Sequence, residues 1–347
     1  MKRASRLFDE ILGRDNLRQA FYRAARGKRD RIEVRSFAVN LDRNLMELSE
    51  ALRAETFRVG RAHQFVIYDP KIRTITAPIF PERVVHHAIM NVCEPWMDRF
   101  LIADTFACRL GKGRIAALGR ARYFCKRFPY AIKLDMRRYF PSISHDILLA
   151  RLRRRFKDAR LITLFEKIVR RHEEPGNPSR GLPIGSLTSQ HFANFFLGWF
   201  DRFVKEVLRI PGYLRYMDDC VIWGNTKKGL AVTAQKCEAY LVEELDLSPK
   251  PPEFADARRG LEFLGCRVFA DRLQLGRRSR RRYRMSIRRL GQLLEAGAIS
   301  EGEAARRADS LTAFAKAGGV KSWRLRDHVL KCDLVSDHGL EPGEPGR

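Results

Sequence analysis

Two adjacent acids, Asp218 and Asp219, interrupt an apolar stretch in which Leu214 and Tyr216 come before them and Val221, Ile222 and Trp223 after. The pattern predicts a strand, a turn and a returning strand, and it narrows the folds open to the chain more than any other feature. Strands this apolar belong in a core, and carboxylates at their tip are costly unless cations or solvent balance them. A divalent metal would supply that balance. Asp is also a favoured turn residue, so the pair taken alone is compatible with an ordinary turn.

A third acid lies upstream. In YAIKLDMRRYFPSI, Tyr130, Ile132 and Leu134 fall on one side and Lys133 and Asp135 on the other, as in a half-buried strand that delivers Asp135 at its exit. Hard oxygen donors suit magnesium. Two Mg²⁺ ions roughly 4 Å apart can activate an attacking hydroxyl, neutralise phosphates and stabilise a pyrophosphate leaving group, which is what nucleotidyl transfer requires. Asp135 and Asp218 are read as the main metal ligands and catalytic acids, with Asp219 as a third; Mn²⁺ can substitute.

Elsewhere the apolar period predicts helices over 16–26, 39–56, 81–100, 115–127 and 228–244, and a long apolar helix starting near Leu187. Ser144 or Asp146 can cap another, whose polar face is expected to carry Arg151, Arg153, Arg154, Arg155 and Lys157. QFVIYDPKIRTIT reads as a β-hairpin with a basic tip, and LEFLGCRVF as a strand with a hairpin. His86 and His87 point in different directions from one helix and are read as packing or hydrogen-bonding residues; Cys220 is expected to be buried on the returning strand. Nine arginines and one acid occupy 271–290, Ser300 and Glu303 resemble a capping box, the segment to Leu330 reads as mostly helical, and the tail after Ser336 as frayed.

The 347 residues carry 67 Lys and Arg against 41 acids, a formal charge of +26, which calls for a polyanionic partner without saying which. Seven scattered cysteines match neither a zinc site nor a disulfide framework, so a reducing cytoplasm is the expected setting. No apolar run approaches the roughly 18 residues of a membrane span, and the basic N-terminus lacks a signal-peptide core.

The motifs together resemble the reverse transcriptases. LDMRRYFPSI resembles their first catalytic motif and YMDD their second, with GLPIGSLTSQHFAN matching the glycine-containing motif between them, and Asp135 stands 83 residues before Asp218. The resemblance runs from about Gln64 to Phe269. Within that family the chain is most similar to the diversity-generating retroelement enzymes: Gln190 follows Ser189 where group II intron and retron enzymes usually have proline, and DTFACRLGKG and the compact C-terminus look alike. Arg114 and Ile115 depart from the Thr-His often found after GKG.

The resemblance implies a mixed α+β right-hand polymerase fold with fingers, palm and a compact helical thumb. N-terminal helices and fingers would occupy 1–128, the palm 129–270 with an interleaved fingers segment at about 155–186, the thumb 271–335 and a flexible tail 336–347. It implies that Arg73, ahead of Lys71, binds the incoming triphosphate from the basic fingertip, and that Phe140 is a steric gate against a 2′-hydroxyl. Gly185 would approach the nascent base pair, Gln190 would contact nucleotide or template, and Lys250 would protonate pyrophosphate. Tyr216 and Met217 would face primer or template, Phe263, Leu264 and Gly265 would form a primer grip, and Arg280, Arg281 and Arg282 would hold duplex phosphates. Read residue by residue, Phe140 is equally a core ring, Arg73 and Lys71 a solvated turn, and the arginine run a solvated face.

The activity implied is an RNA-directed DNA polymerase that copies a template RNA into cDNA for mutagenic retrohoming. Its partners would be template RNA, an RNA–DNA primer-template duplex, dNTPs and an oligomeric accessory variability protein, with no membrane. Two alternatives stay open: a standalone bacterial reverse transcriptase in phage defence, and a non-catalytic polymerase-derived RNA-binding scaffold.

Overall fold

The structure, a computed structural model, describes residues 6–60, 62–68, 72–172 and 176–317. Lys71, Cys332, the expected helix beyond 317 and the tail lie outside the described residues.

The chain begins with four helices, α1 (Leu7–Leu12), α2 (Arg14–Ala25), α3 (Ile32–Val39) and α4 (Leu41–Arg53). An antiparallel hairpin follows, β1 (Ala62–Ile67) and β2 (Arg73–Pro78), in register from Ala62–Pro78 to Ile67–Arg73. Next come α5 (Phe80–Asp98), α6 (Arg114–Arg127), β3 (Tyr130–Leu134), α7 (Tyr139–Ser142), α8 (His145–Arg155) and α9 (Ala159–Arg170). After α10 (Leu187–Phe196) and α11 (Gly198–Arg202), β4 (Gly212–Tyr216) and β5 (Asp219–Gly224) lead into α12 (Lys227–Leu245). The chain continues through β6 (Glu253–Asp256), β7 (Leu261–Phe263), β8 (Cys266–Val268) and β9 (Leu273–Leu275) to α13 (Arg277–Glu295) and α14 (Glu301–Ala317). The result is a mixed α+β architecture. Among the described residues the sheets are the β1–β2 hairpin, a four-stranded sheet in the order β4-β5-β3-β6, and an antiparallel β7-β8-β9 meander.

Two compact units emerge. The first comprises Met1–Gly113, Lys133–Ile222 and Ala231–Glu253. Its centre is α5, packed against α1, α2, α3 and α10. Val84, Val85, Ala88 and Ile89 of α5 are fully buried, and Phe21, Phe37 and Phe80 form a three-ring cluster with centroids 5.3–5.9 Å apart. His86 is buried here with Nδ1 3.0 Å from the Ser186 hydroxyl, in keeping with a packing and hydrogen-bonding residue. The second unit comprises Arg114–Ile132, Trp223–Leu230 and Phe254–Arg347. In it α6 packs on β8, α13 packs on α14, and the Phe124 and Trp223 rings meet at 5.0 Å.

The structure adds α3, β6 and β9 to the expected elements and departs from the sequence expectations elsewhere. The α8 arginines are not all solvated: Arg151 and Arg155 are buried, their guanidinium groups over the rings of Trp199 and Trp96 at 4.7 and 5.5 Å. Aromatic faces desolvate guanidinium at little cost, which a count of charges does not reveal. The helix α8 ends at Arg155, so Lys157, expected on its polar face, lies beyond it. Phe156 turns to extended backbone, and the Asp158 carboxylate then caps α9 through the Leu161 amide at 3.4 Å. The long helix from Leu187 breaks at Leu197 and ends in a π-helical turn at Phe203–Val207. Ser144, rather than Asp146, caps α8, and the Ser300 hydroxyl accepts from the Glu303 amide as expected of a capping box.

Candidate active site

β5 and β3 are neighbours in the four-stranded sheet, and this adjacency organises the acids. Asp135 is the first residue beyond β3, whereas Asp218 closes the turn between β4 and β5 and Asp219 opens β5. Alternation explains why β3 ends this way: Ile132 and Leu134 are buried, while Lys133 and Asp135 remain partly exposed. Met217 takes a left-handed conformation, with φ 57°, so the turn reverses tightly and leaves Asp218 at its apex.

The segment 248–250 runs alongside. The Arg137 amide donates to Ser248 O at 2.9 Å, and the Lys250 amide to Asp135 O at 2.8 Å. Backbone pairing thus brings the Lys250 ammonium onto the Asp135 carboxylate as an ion pair.

Burial, followed by the negative charge of Asp135, raises the Asp218 carboxyl, which Arg73 and Lys250 only partly offset. Asp219 is pushed up to about 6 by burial and by Asp218, against the opposing pull of Lys133. Two neighbouring acids that resist ionisation mark a place short of positive charge. Among the described residues, no group of three or more His, Cys, Asp or Glu side chains is gathered closely enough to hold a metal ion. The donor chemistry nonetheless fits a hard divalent cation: carboxylate oxygens, electrostatically coupled, whose charge the neighbouring Lys and Arg offset only in part.

Several other expected residues belong to the same unit. The Leu182 amide donates to Phe140 O and the Gly181 amide to Ile143 O, both at 2.9 Å, so the glycine motif lies along the Phe140 segment. Phe140 is half-buried, edge-on to Tyr139 at 5.7 Å. The motif then meets the hairpin through the Thr76 amide and Ile184 O at 2.7 Å. Gly185 has φ +116°, and a Cβ there would stand 2.7 Å from Ile75 Cγ2 and 3.0 Å from Thr76 O. Glycine is therefore required by the approach of the protein's own hairpin. Arg73 at the base of β2 is exposed and lowers Asp218 electrostatically. Gln190 is exposed on α10, with Oε1 3.9 Å from Cys108 Sγ. Tyr216 and Met217 are partly exposed.

The remaining candidates belong to the second unit. Phe263 is buried, and Leu264 (φ 46°) and Gly265 (φ 75°) make the tight β7–β8 turn. Arg114 Nε donates to Leu264 O at 3.0 Å. Arg280, Arg281 and Arg282 are exposed on α13.

Sequence reasoning missed a buried polar group directly behind the turn. Arg215, fully buried on β4, pairs with Asp201 at 2.6 Å, and Tyr139 Oη donates to Ala193 O at 2.6 Å. The available signal was a charge in the middle of the apolar strand GYLRY, since such a charge requires a buried partner.

A protein-family model described as reverse transcriptase (RNA-dependent DNA polymerase) matches residues 70–268. "Protein YkfC" of Escherichia coli K12 is 26% identical, over 60% of this chain and 59% of that protein. A Saccharomyces cerevisiae protein carrying the name COX1/OXI3 intron 1 protein is 23% identical, over 48% of this chain and 21% of its own length. The chain therefore spans less than two thirds of the length of these relatives. Among solved structures, telomerase from Candida albicans, in a complex with a fragment of telomeric RNA, aligns with TM-score 0.48 and 9% identity over 66% of this chain and 50% of that one. Apo telomerase from Candida tropicalis aligns at 0.47 and 11%, over 82% and 65%. Among the described residues no helix is long and apolar enough to cross a membrane.

Proposed function

The chain belongs to the reverse transcriptase (RNA-dependent DNA polymerase) family, and from that membership we propose that it copies a template RNA into cDNA by two-metal nucleotidyl transfer, in the service of a diversity-generating retroelement. The observation that carries the polymerase reading is the placement of Asp135 at the end of β3 beside the Asp218–Asp219 turn of the neighbouring β5, where the charge of Asp135 raises both other carboxyls and that of Asp218 raises Asp219. In this reading the N-terminal helices and fingers take 1–128 and about 155–186, the palm takes the rest of 129–270, and α13–α14 belong to the thumb.

Asp135, Asp218 and Asp219 would hold two Mg²⁺ ions, whose chemistry when bound is to lower the pKa of the primer 3′-hydroxyl and neutralise charge on the phosphates. Asp135 must exchange its Lys250 partner to take part. The Lys250 ammonium is then free at the site edge, where its Nζ proton can pass to the departing pyrophosphate. Arg73 offers a planar fork for triphosphate oxygens, and the Phe140 ring bars a ribose 2′-hydroxyl. Leu264, Gly265 and the α13 arginines act on the primer-template duplex, whose phosphates the charge of +26 favours. The retroelement assignment rests on Gln190 after Ser189 and on the DTFACR segment, and with it comes an accessory variability protein as partner.

The test is primer extension on RNA with the wild-type protein and Asp218→Asn, which removes one ligand charge from a turn whose backbone is held independently. The variant should fold and lose extension; near-normal extension at saturating Mg²⁺ refutes the assignment. For the retroelement role, cDNA copied from the cognate repeat RNA should carry substitutions concentrated opposite adenines.

A further inference from the structure

Arg215 is fully buried three residues before Asp218, and its guanidinium engages all five N–H donors with described partners. Nε and Nη2 donate to the two Asp201 oxygens, each at 2.6 Å. Nη1 donates to Asn194 Oδ1 at 2.8 Å, and Nη2 to Asn194 O at 3.0 Å, near the end of α10. The fifth bond, from Nη1 at 2.9 Å, goes to the carbonyl of Met217. The partners are themselves held: Asp201 accepts from Tyr213 Oη and Thr105 Oγ1, both at 2.6 Å, and Asn194 Nδ2 donates to Ala107 O at 2.7 Å.

Four of these bonds anchor the guanidinium, and the fifth uses that anchor. Met217 is a non-glycine residue in the left-handed region, a conformation that is strained for an L side chain and needs support. Its carbonyl lies in the same rigid plane as the Asp218 amide, so fixing the oxygen fixes the direction in which the chain delivers Asp218. A buried ion pair that served only the core would have no need to reach this carbonyl.

We propose that Arg215, braced by Asp201 and Asn194, is a positioning residue for the reaction: it holds the Met217–Asp218 peptide so that the Asp218 carboxylate meets its cation in a single orientation. The proposal rests on the polymerase reading of Asp218. It also links the glycine-motif helix α10, the Thr105–Ala107 loop and the catalytic turn through one side chain.

Removing Arg215 alone would strand a buried Asp201 charge, so the informative variant is the charge-balanced Arg215→Met with Asp201→Asn. Its single-turnover rate should fall about 10²-fold, the scale of a 1 Å misplacement, while KM for the dNTP stays within about threefold. Mn²⁺ binding followed by electron paramagnetic resonance, a readout independent of turnover, should weaken at the same time. Leu45→Ala, a cavity at a buried position of the N-terminal helix α4, serves as the destabilised control and should keep wild-type rate and Mn²⁺ affinity.

A folded double variant with wild-type rate and Mn²⁺ affinity overturns the proposal while leaving the polymerase reading intact, provided Asp218→Asn is inactive. A folded, active Asp218→Asn would instead overturn the reading beneath it. If the double variant does not fold, Asn194→Ala, which keeps the ion pair and loosens the brace, decides: a smaller loss of rate with weakened Mn²⁺ binding supports the proposal, and wild-type values for both overturn it.

Discussion

Gly185→Ala separates backbone strain from a functional displacement, because a second glycine provides its control. At Gly185 a Cβ would stand 2.7 Å from Ile75 Cγ2 and 3.0 Å from Thr76 O, where ordinary contact begins at 3.4 Å. The β1–β2 hairpin must then retreat by about 0.7 Å, and the Thr76–Ile184 hydrogen bond lengthens with it. Gly176 also has positive φ, +77°, but a Cβ there meets nothing within 4 Å. Both substitutions incur conformational strain of about 1–3 kcal/mol; only Gly185→Ala moves the hairpin that carries Arg73. Since a misplacement of about 1 Å can cost roughly 10²-fold in rate, a loss of between tenfold and 10²-fold in kcat/KM for the dNTP is expected from Gly185→Ala. Gly176→Ala should keep wild-type kinetics with a lowered unfolding midpoint. Single-nucleotide incorporation across a dNTP series, with denaturation of both variants, makes the comparison. Equal kinetics for the two variants would show that the hairpin's position does not govern nucleotide use, and the reasoning would fail.

Phe140→Ala should raise ribonucleotide incorporation relative to deoxynucleotide in matched single-nucleotide assays, and an unchanged ratio in a stable variant leaves Phe140 as packing against Tyr139. Replacing Arg280, Arg281 and Arg282 together by alanine should weaken duplex binding and flatten its salt dependence by about one unit for each phosphate no longer neutralised, while single-turnover extension at saturating duplex survives. Unchanged affinity across a salt series would mark the α13 arginines as merely solvated.

How much was legible in advance follows from the range of the interactions concerned. Local periodicity determined most elements: the alternation around Asp135 and the Asp218–Asp219 pair produced β3, β4 and β5 where the pattern placed them, and Ser144 and Ser300 announced their helices. The order of the three motifs likewise sufficed to indicate the polymerase family that the comparison assigns. What the sequence did not disclose depends on partners distant along the chain. Arg151 and Arg155 read as solvent-facing because nothing nearby announces that Trp199 and Trp96 will cover them. Gly185 read as room for a base pair, although its neighbour proved to be Ile75, from a hairpin more than a hundred residues away. Arg215 was passed over as one cation among 67, yet tertiary packing gave it Asp201, Asn194 and the Met217 carbonyl. A strand pattern specifies which face is buried, but the partner of a buried charge is chosen only when separate segments close over it and water can no longer serve.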